Sequence, residues 1–256
     1  IWASRVYFPV APWGGGGGGI GELRIGEAGV IDFAGGTAVH INAGAAALAV
    51  CIILGKRLGW PKTPMRPHNL TMVMLGAGLL WFGWFGFNAG SAYAADNTAA
   101  IAATNTLLAT CAAGLAWLIV EKIRDKTATS LGAASGIVAG LVAITPACAN
   151  VTPMGAILLG LVAGAVCAWA VTLKYRLGFD DSFDVVGIHL VGGLVGTLAL
   201  GFLASDLVEE GGQNGLLYGG DLNLLIVQTI AAVGVMVYSF ILASIIALAL
   251  KATIGI

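Results

Sequence analysis

The stretch IDFAGGTAVHINAGAAALAVCIIL, residues 31–54, decides the fold class, because it is a long apolar run with very few polar side chains. A transmembrane helix needs about 20 consecutive, mostly apolar residues. Six other stretches of the chain qualify by the same measure. The seven predicted spans are 28–55, 69–93, 99–120, 130–149, 154–173, 185–205 and 222–250.

The composition of the whole chain agrees with this interpretation. Of its 256 residues, 58% are hydrophobic and 10% are charged, with a mean hydropathy of +0.93 and a formal net charge of −1. A soluble domain carries about 25% charged residues. The composition therefore excludes a cytosolic enzyme, a disordered chain and a nucleic-acid binder, and it predicts an all-α polytopic membrane protein.

Basic residues between the predicted spans lie on alternating sides of the membrane. Lys and Arg occur in the first, third and fifth connections and after the last span, whereas the even connections, including 206–221, carry none. Ten of the 12 basic residues thus share one side, which the positive-inside rule makes cytoplasmic. We expect a multi-pass plasma-membrane protein with its N-terminal segment outside and its C-terminus in the cytoplasm.

Glycine recurs at four-residue spacing inside the spans, as in the pair Gly160 and Gly164. Small residues at this spacing let helices approach closely within a bilayer, so we expect a tight bundle. The run Gly14–Gly19 lies in a polar connection and is interpreted as a flexible extracellular loop. The four cysteines lack metal-ligand spacing, so no metal site is expected. No cofactor is expected either.

Three titratable side chains inside the predicted spans are candidate functional residues, because burying such groups in a membrane is costly. Asp32 lies about one turn inside its predicted helix, where it either caps the helix or favours cations nearby. His40 follows Asp32, and His189 follows Asp184 on a helix of opposite direction. A lone buried histidine is usually a core residue, but matched histidines on opposed helices are typical of an inverted repeat.

The outer half of span 69–93 reads WFGWFGFNAGSA (81–92). Its aromatic residues are typical of a membrane-interface belt. Alternatively, Phe87 and Ser91 form an i,i+4 pair on one helix face. A ring and a hydroxyl on the same face can hold a small cation.

Four long segments resemble the ammonium transporters, specifically the Amt branch of the Amt/Rh superfamily, in the same order along the chain. They are IDFAGGTAVHINAGAAAL (31–48), PHNLTMVMLGAGLLWFGWFGFNAGSA (67–92), ITPACANVTPMGA (144–156) and FDDSFDVVGIHLVGGLVGTLALG (179–201). The resemblance implies transport in which ammonium is recruited outside and deprotonated, and ammonia crosses an apolar pore.

Residue roles follow from the same resemblance. Trp13 and Ser91 match the vestibule residues that hold ammonium, and Asp32 matches an acidic residue near them. Phe87 resembles one of two stacked gate residues. His40 and His189 resemble the twin histidines that line the pore.

The resemblance implies eleven spans, in two inverted halves of five plus a last helix, of which this chain matches the fifth to the eleventh. Residues 1–256 are therefore interpreted as a single ammonium-transporter transmembrane domain, incomplete at both ends. The resemblance also implies a homotrimer of the complete protein and a cytoplasmic signal-transduction regulator. We expect no transport from these 256 residues alone, because the pore would lack one wall.

Four other functions are weighed against the sequence: an ammonium sensor, a member of the Rh branch, a retinal protein and an enzyme. An ammonium sensor, in which a similar bundle serves a signalling domain, stays open as the alternative. The Rh branch is disfavoured by Trp13 and Ser91, which suit a charged substrate. A retinal protein needs a lysine within its last helix, and span 222–250 has none. No nucleophile–base arrangement accompanies the histidines, so an enzyme is not expected.

Overall fold

The computed structural model describes residues 6–7, 19–63, 65–208 and 211–255, and within these ranges the protein is a helical bundle. A hairpin of two-residue strands, β1 and β2, precedes the helices, and two π-helical segments lead directly into α1 and α7. The strands are Arg24–Ile25 and Ala28–Gly29, and the π-helical segments are Gly36–Ile41 and Val186–Leu190. The helices are α1 Asn42–Leu54, α2 Leu70–Ala89, α3 Asn97–Asp125, α4 Ser130–Ile144, α5 Pro153–Ala170, α6 Leu173–Leu177, α7 Val191–Leu203 and α8 Leu222–Thr253.

Six helical segments of the described chain are long and apolar enough to cross a membrane, which confirms the all-α polytopic fold. The predicted span 130–149 is shorter than expected, because α4 has 15 residues and thus measures about 22 Å. Pro146 lacks an N–H group and does not continue the helix. The chain turns through residues 145–150, and these are buried.

The first span also begins later than predicted, at Gly36 rather than near residue 28. The amides of Phe33 and Ala34 donate to the carbonyls of Pro146 and Thr145, at 3.1 and 3.2 Å. These bonds hold the segment before α1 against the turn after α4, outside any helix. Asp32 therefore lies ahead of its helix and not one turn inside it.

Glycines form close contacts between helices, as the four-residue spacing predicts. A Cβ added to Gly160 would collide with the backbone of Ala109, and one added to Gly164 with the backbone of Ala113. Both alanines are fully buried on α3. Helices α3 and α5 therefore touch backbone to backbone, a contact that any larger side chain would open.

One end of the bundle, the end predicted to be cytoplasmic, carries ion pairs that include Arg57–Asp180 and Lys174–Asp184. Arg57, just after α1, holds Asp180 through its Nε and Nη2 atoms at 2.7 and 2.5 Å, and its backbone amide donates to the same carboxylate. Lys174 of α6 binds Asp184 at 2.6 Å. The first pair connects the loop after α1 with the segment leading to α7.

The Arg57–Asp180 pair predicts a pH dependence of stability. The hydrogen bonds from Arg57 hold the pKa of the Asp180 carboxyl below its usual range. The pair therefore stabilises the fold above the unfolded-state pKa of about 4, and this contribution is lost as the pH falls through the lower folded-state pKa. We expect Asp180→Asn to lower the melting temperature at pH 7, and the difference from the wild type to shrink below about pH 4.

Thermal unfolding of the full-length protein in detergent between pH 3 and pH 7 measures this difference. Asp206→Asn is the matched control, because Asp206 is exposed and has no ion pair among the described residues. A wild-type advantage over Asp180→Asn that is the same at pH 3 and pH 7 would contradict the prediction.

Candidate functional site

The structure brings His40 and His189 into contact in the interior of the bundle. Their Nδ1 atoms are 3.4 Å apart, and their ring centroids are 5.4 Å apart. His40 is 3% exposed, and His189 is half-buried. The two residues are 149 positions apart in the chain, so only the packing of their helices produces this pair.

Each histidine lies in a π-helical segment whose first turn is capped by an aspartate. Asp32 accepts hydrogen bonds from the amides of Thr37 and Ala38, both at 3.0 Å. Asp181 accepts one from the amide of Val186 at 2.7 Å. Carboxylates at a helix start satisfy amides that have no partner within the helix. The same local device therefore positions both histidines.

This arrangement corrects the predicted partner of His189. Asp181, and not Asp184, corresponds to Asp32, because each precedes its histidine by eight positions. The carboxylate of Asp184 binds Lys174 instead. Both aspartates lie close to His189 in sequence, and only the hydrogen bonds distinguish them.

The two histidine segments also pack in a matched way. A Cβ on Gly44 would collide with the backbone of Leu190, and one on Gly193 would come within 2.9 Å of Ile41. Each glycine follows its own histidine by four positions, and each contact residue directly follows the other histidine. Helix α1 packs on the segment of His189, and α7 on that of His40. This reciprocal contact is the geometry of an inverted repeat.

Asp32 is occupied by contacts within the protein. Besides the two amides, it accepts a hydrogen bond from the hydroxyl of Tyr7 at 2.7 Å. A carboxylate with three donors already in place holds the chain around it. Of the two roles open to Asp32 at the sequence level, helix capping is the one that these contacts support.

Two aromatic side chains of α2 lie beside His40. The ring of Trp84 stacks on His40, with centroids 5.2 Å apart and planes 22° apart. The ring of Phe87 is 6.2 Å from His40 and 5.6 Å from Trp84. Phe87 is 42% exposed, so it lies at the rim of this cluster.

Ser91 lies one turn after Phe87, and its hydroxyl donates to the Phe87 carbonyl at 2.8 Å. The hydroxyl oxygen keeps lone pairs that can accept a hydrogen bond from a cation such as ammonium. Trp13, the other predicted vestibule residue, lies outside the described residues.

Sequence reasoning missed two members of the cluster, Trp84 and Thr145. The indole Nε1–H of Trp84 donates to Thr145 Oγ1 at 2.9 Å, and His40 Nε2 is 3.3 Å from the same oxygen. Trp84 precedes Phe87 by three positions, which places both on one helix face. That spacing could have identified Trp84, whereas nothing in the sequence pairs Thr145 with His40.

Comparison with known proteins identifies the family of this chain. The profile of the Ammonium Transporter Family matches residues 1–256. The chain belongs to the ammonium transporter family. This family consists of transporters rather than enzymes.

Relatives of known name cover most of this chain. The ammonium transporter of Mycobacterium tuberculosis (strain H37Rv) is 56% identical over 265 residues, which is 100% of this chain and 56% of that protein. The crystal structure of Candida albicans Mep2 superposes with a TM-score of 0.81 at 37% identity, covering 88% of this chain and 51% of Mep2. A structure described as a sensor Amt protein superposes with a TM-score of 0.80 at 33% identity, covering 90% of this chain and 57% of that one.

The chain therefore spans about half the length of the ammonium transporter family members that it matches.

Proposed function

We propose that the protein transports ammonium across a membrane and that its twin histidines line the path of ammonia. The single observation that carries the proposal is the contact between His40 and His189, Nδ1 to Nδ1 at 3.4 Å. Membership of the ammonium transporter family supports the same substrate. Residues 1–256 then form part of one transmembrane transport domain.

The histidine pair suits a neutral substrate. A hydrogen bond between two Nδ1 atoms requires one nitrogen with a hydrogen and one without, so the pair carries its own donor and acceptor. Dehydrating an intact ammonium ion in an apolar passage is far more costly than dehydrating neutral ammonia. Ammonium that loses its proton before the passage therefore crosses as neutral ammonia. The rings of His40 and His189 can form hydrogen bonds with ammonia and carry no fixed charge.

The outer side of the cluster supports recruitment of the charged ion. Phe87 lies near the end of α2, with its ring 6.2 Å from His40 and 5.6 Å from Trp84, and Ser91 follows in the 3₁₀ turn Gly90–Ala92 with its hydroxyl on the Phe87 carbonyl. Aromatic faces attract cations, and the effect is larger where water is excluded. We assign Ser91 and Trp13 to ammonium binding and Phe87 to a gate. Asp32 supports this vestibule by holding the start of the His40 helix.

Uptake by the full-length protein reconstituted in liposomes tests the proposal. We expect saturable uptake of radiolabelled methylammonium. Added ammonium should inhibit this uptake, and added potassium should not. Liposomes without protein provide the baseline. Uptake no faster than this baseline would refute transport.

An ammonium sensor is the second candidate, because the bundle also superposes on a structure described as a sensor Amt protein. The same fold carries both likenesses, so flux is the property that separates the two functions. Ammonium binding to the full-length protein without any flux in liposomes would favour the sensor.

A further inference from the structure

The hydroxyl of Thr145 lies at the centre of a buried hydrogen-bond cluster that includes His40 of the histidine pair. Its Oγ1 atom is 2.7 Å from the carbonyl oxygen of Leu141, 2.9 Å from Trp84 Nε1 and 3.3 Å from His40 Nε2. Thr145 is 0% exposed. A hydroxyl group has one hydrogen to donate and two lone pairs that accept, so the three contacts match its full capacity.

The Thr145 hydroxyl donates its hydrogen to the Leu141 carbonyl. In an unbroken α-helix that carbonyl would accept from the amide of Thr145, but this amide donates to Val142 instead, at 3.3 Å. Pro146, the next residue, has no N–H group. Leu141 is fully buried, and a buried carbonyl without a donor is costly. The Thr145 hydroxyl satisfies it.

The two lone pairs of Thr145 Oγ1 then accept the remaining hydrogen bonds. An indole nitrogen only donates, so Trp84 Nε1–H takes the first lone pair. The second faces His40 Nε2, which must carry a hydrogen to bind there. A neutral imidazole with its hydrogen on Nε2 has a bare Nδ1. His40 Nδ1 therefore accepts a hydrogen bond from His189 Nδ1–H.

We propose that Thr145 is a positioning residue that fixes the direction of the histidine pair. His189 donates from Nδ1, His40 donates from Nε2, and the bare nitrogen left over is His189 Nε2. Among the described residues, His189 Nε2 has no hydrogen-bond partner. Both histidines lie in a π-helical segment capped by an aspartate, as an inverted repeat implies. The Thr145 hydroxyl makes their tautomers different.

This inference deepens the proposed function, and only its consequence for transport rests on that function. His189 Nε2 becomes the nitrogen that accepts a hydrogen bond from ammonia in the pore. His40 keeps His189 in this tautomer, because its Nδ1 accepts the hydrogen bond from His189 Nδ1–H.

Nitrogen NMR of the full-length protein, labelled with ¹⁵N-histidine and reconstituted in lipid at neutral pH, tests the assignment directly. Ring nitrogens with and without hydrogen differ widely in chemical shift, so the spectrum reports each tautomer. The variants His68→Gln and His189→Asn assign the signals. We expect His40 to be protonated at Nε2 and His189 at Nδ1.

Thr145→Val removes the acceptor while keeping the side-chain shape, and Thr145→Ser keeps the hydroxyl. We expect the preference of His40 for the Nε2 tautomer to fall about fivefold in Thr145→Val, the size of one typical buried hydrogen bond. Thr145→Ser should restore it. A purely structural role for Thr145 would change stability without changing this ratio.

A wild-type spectrum with the His40 hydrogen on Nδ1 would overturn the inference, even if Thr145→Val fails to fold. An unchanged tautomer ratio in a folded Thr145→Val would also overturn it. Neither result depends on flux, so a failure of ammonium transport in liposomes would be recognised separately.

Discussion

Replacement of His40 by aspartate in the full-length protein is expected to remove its selectivity for ammonium over potassium. In the proposed pore, the wild-type passage beside Trp84 and His189 offers rings without a fixed negative charge, so a dehydrated cation finds no compensating charge there. A carboxylate at position 40 provides one. Opposite unit charges 4 Å apart attract by about 4 kcal/mol at an effective dielectric constant of 20, and this attraction offsets part of the cost of dehydrating an ion that keeps its charge.

We expect the ratio of ammonium to potassium flux to fall about tenfold or more, since each 1.4 kcal/mol corresponds to roughly a factor of ten. Flux measurements in liposomes with each cation alone give the ratio. His68→Asp is the matched control, because His68 is exposed in the loop before α2 and, among the described residues, shares no hydrogen bond or ring contact with His40 or His189. Undiminished selectivity in His40→Asp would argue against the pore role of the pair.

Gly44→Ala is expected to separate the two histidines and abolish uptake. The new Cβ would lie against the backbone of Leu190, and backbone cannot move aside as the end of a side chain can. Such overpacking costs about 1–3 kcal/mol, against a gain of about 1 kcal/mol from replacing a helical glycine. We therefore expect a modest loss of stability but a large loss of function. Misplacement of reacting groups by about 1 Å can cost a hundredfold in rate.

Gly114→Ala is the matched control for this variant. Gly114 is also buried in a spanning helix, but the atom nearest to its added Cβ is 3.8 Å away on Ile137. We expect Gly114→Ala to retain both its melting temperature and methylammonium uptake. Wild-type uptake by Gly44→Ala would show that the close contact of the two histidine segments is not needed.

The sequence predicted the membrane fold well, because the cost of burying a side chain in a bilayer depends mainly on its type and position along the chain. Apolar runs therefore revealed the spans, and His40 and His189 stood out as the rare polar groups within them. The boundaries were less predictable. Residues 28–35 are mostly apolar, as in a transmembrane helix. They are nevertheless not helical, because the amides of Phe33 and Ala34 donate to carbonyls of the turn after α4.

The aspartates that cap the two histidine segments also show what the sequence could and could not predict. Both Asp181 and Asp184 precede His189, and the sequence pattern favoured the nearer one. The structure shows that Asp181 caps the helix while Asp184 binds Lys174. A capping bond depends on where a carboxylate lies relative to free amides, which spacing alone does not specify.

What the sequence by itself determined is the class of protein, the approximate positions of the spans and the two histidines within them, since hydropathy and glycine spacing are read along the chain. Only the tertiary structure decided that the histidines touch and that Thr145 and Trp84 surround His40. These partners of His40 are 44–149 positions away in the chain. Their hydrogen bonds exist because helices that pack through glycine bring distant residues within about 3 Å, and a local pattern carries no record of that packing.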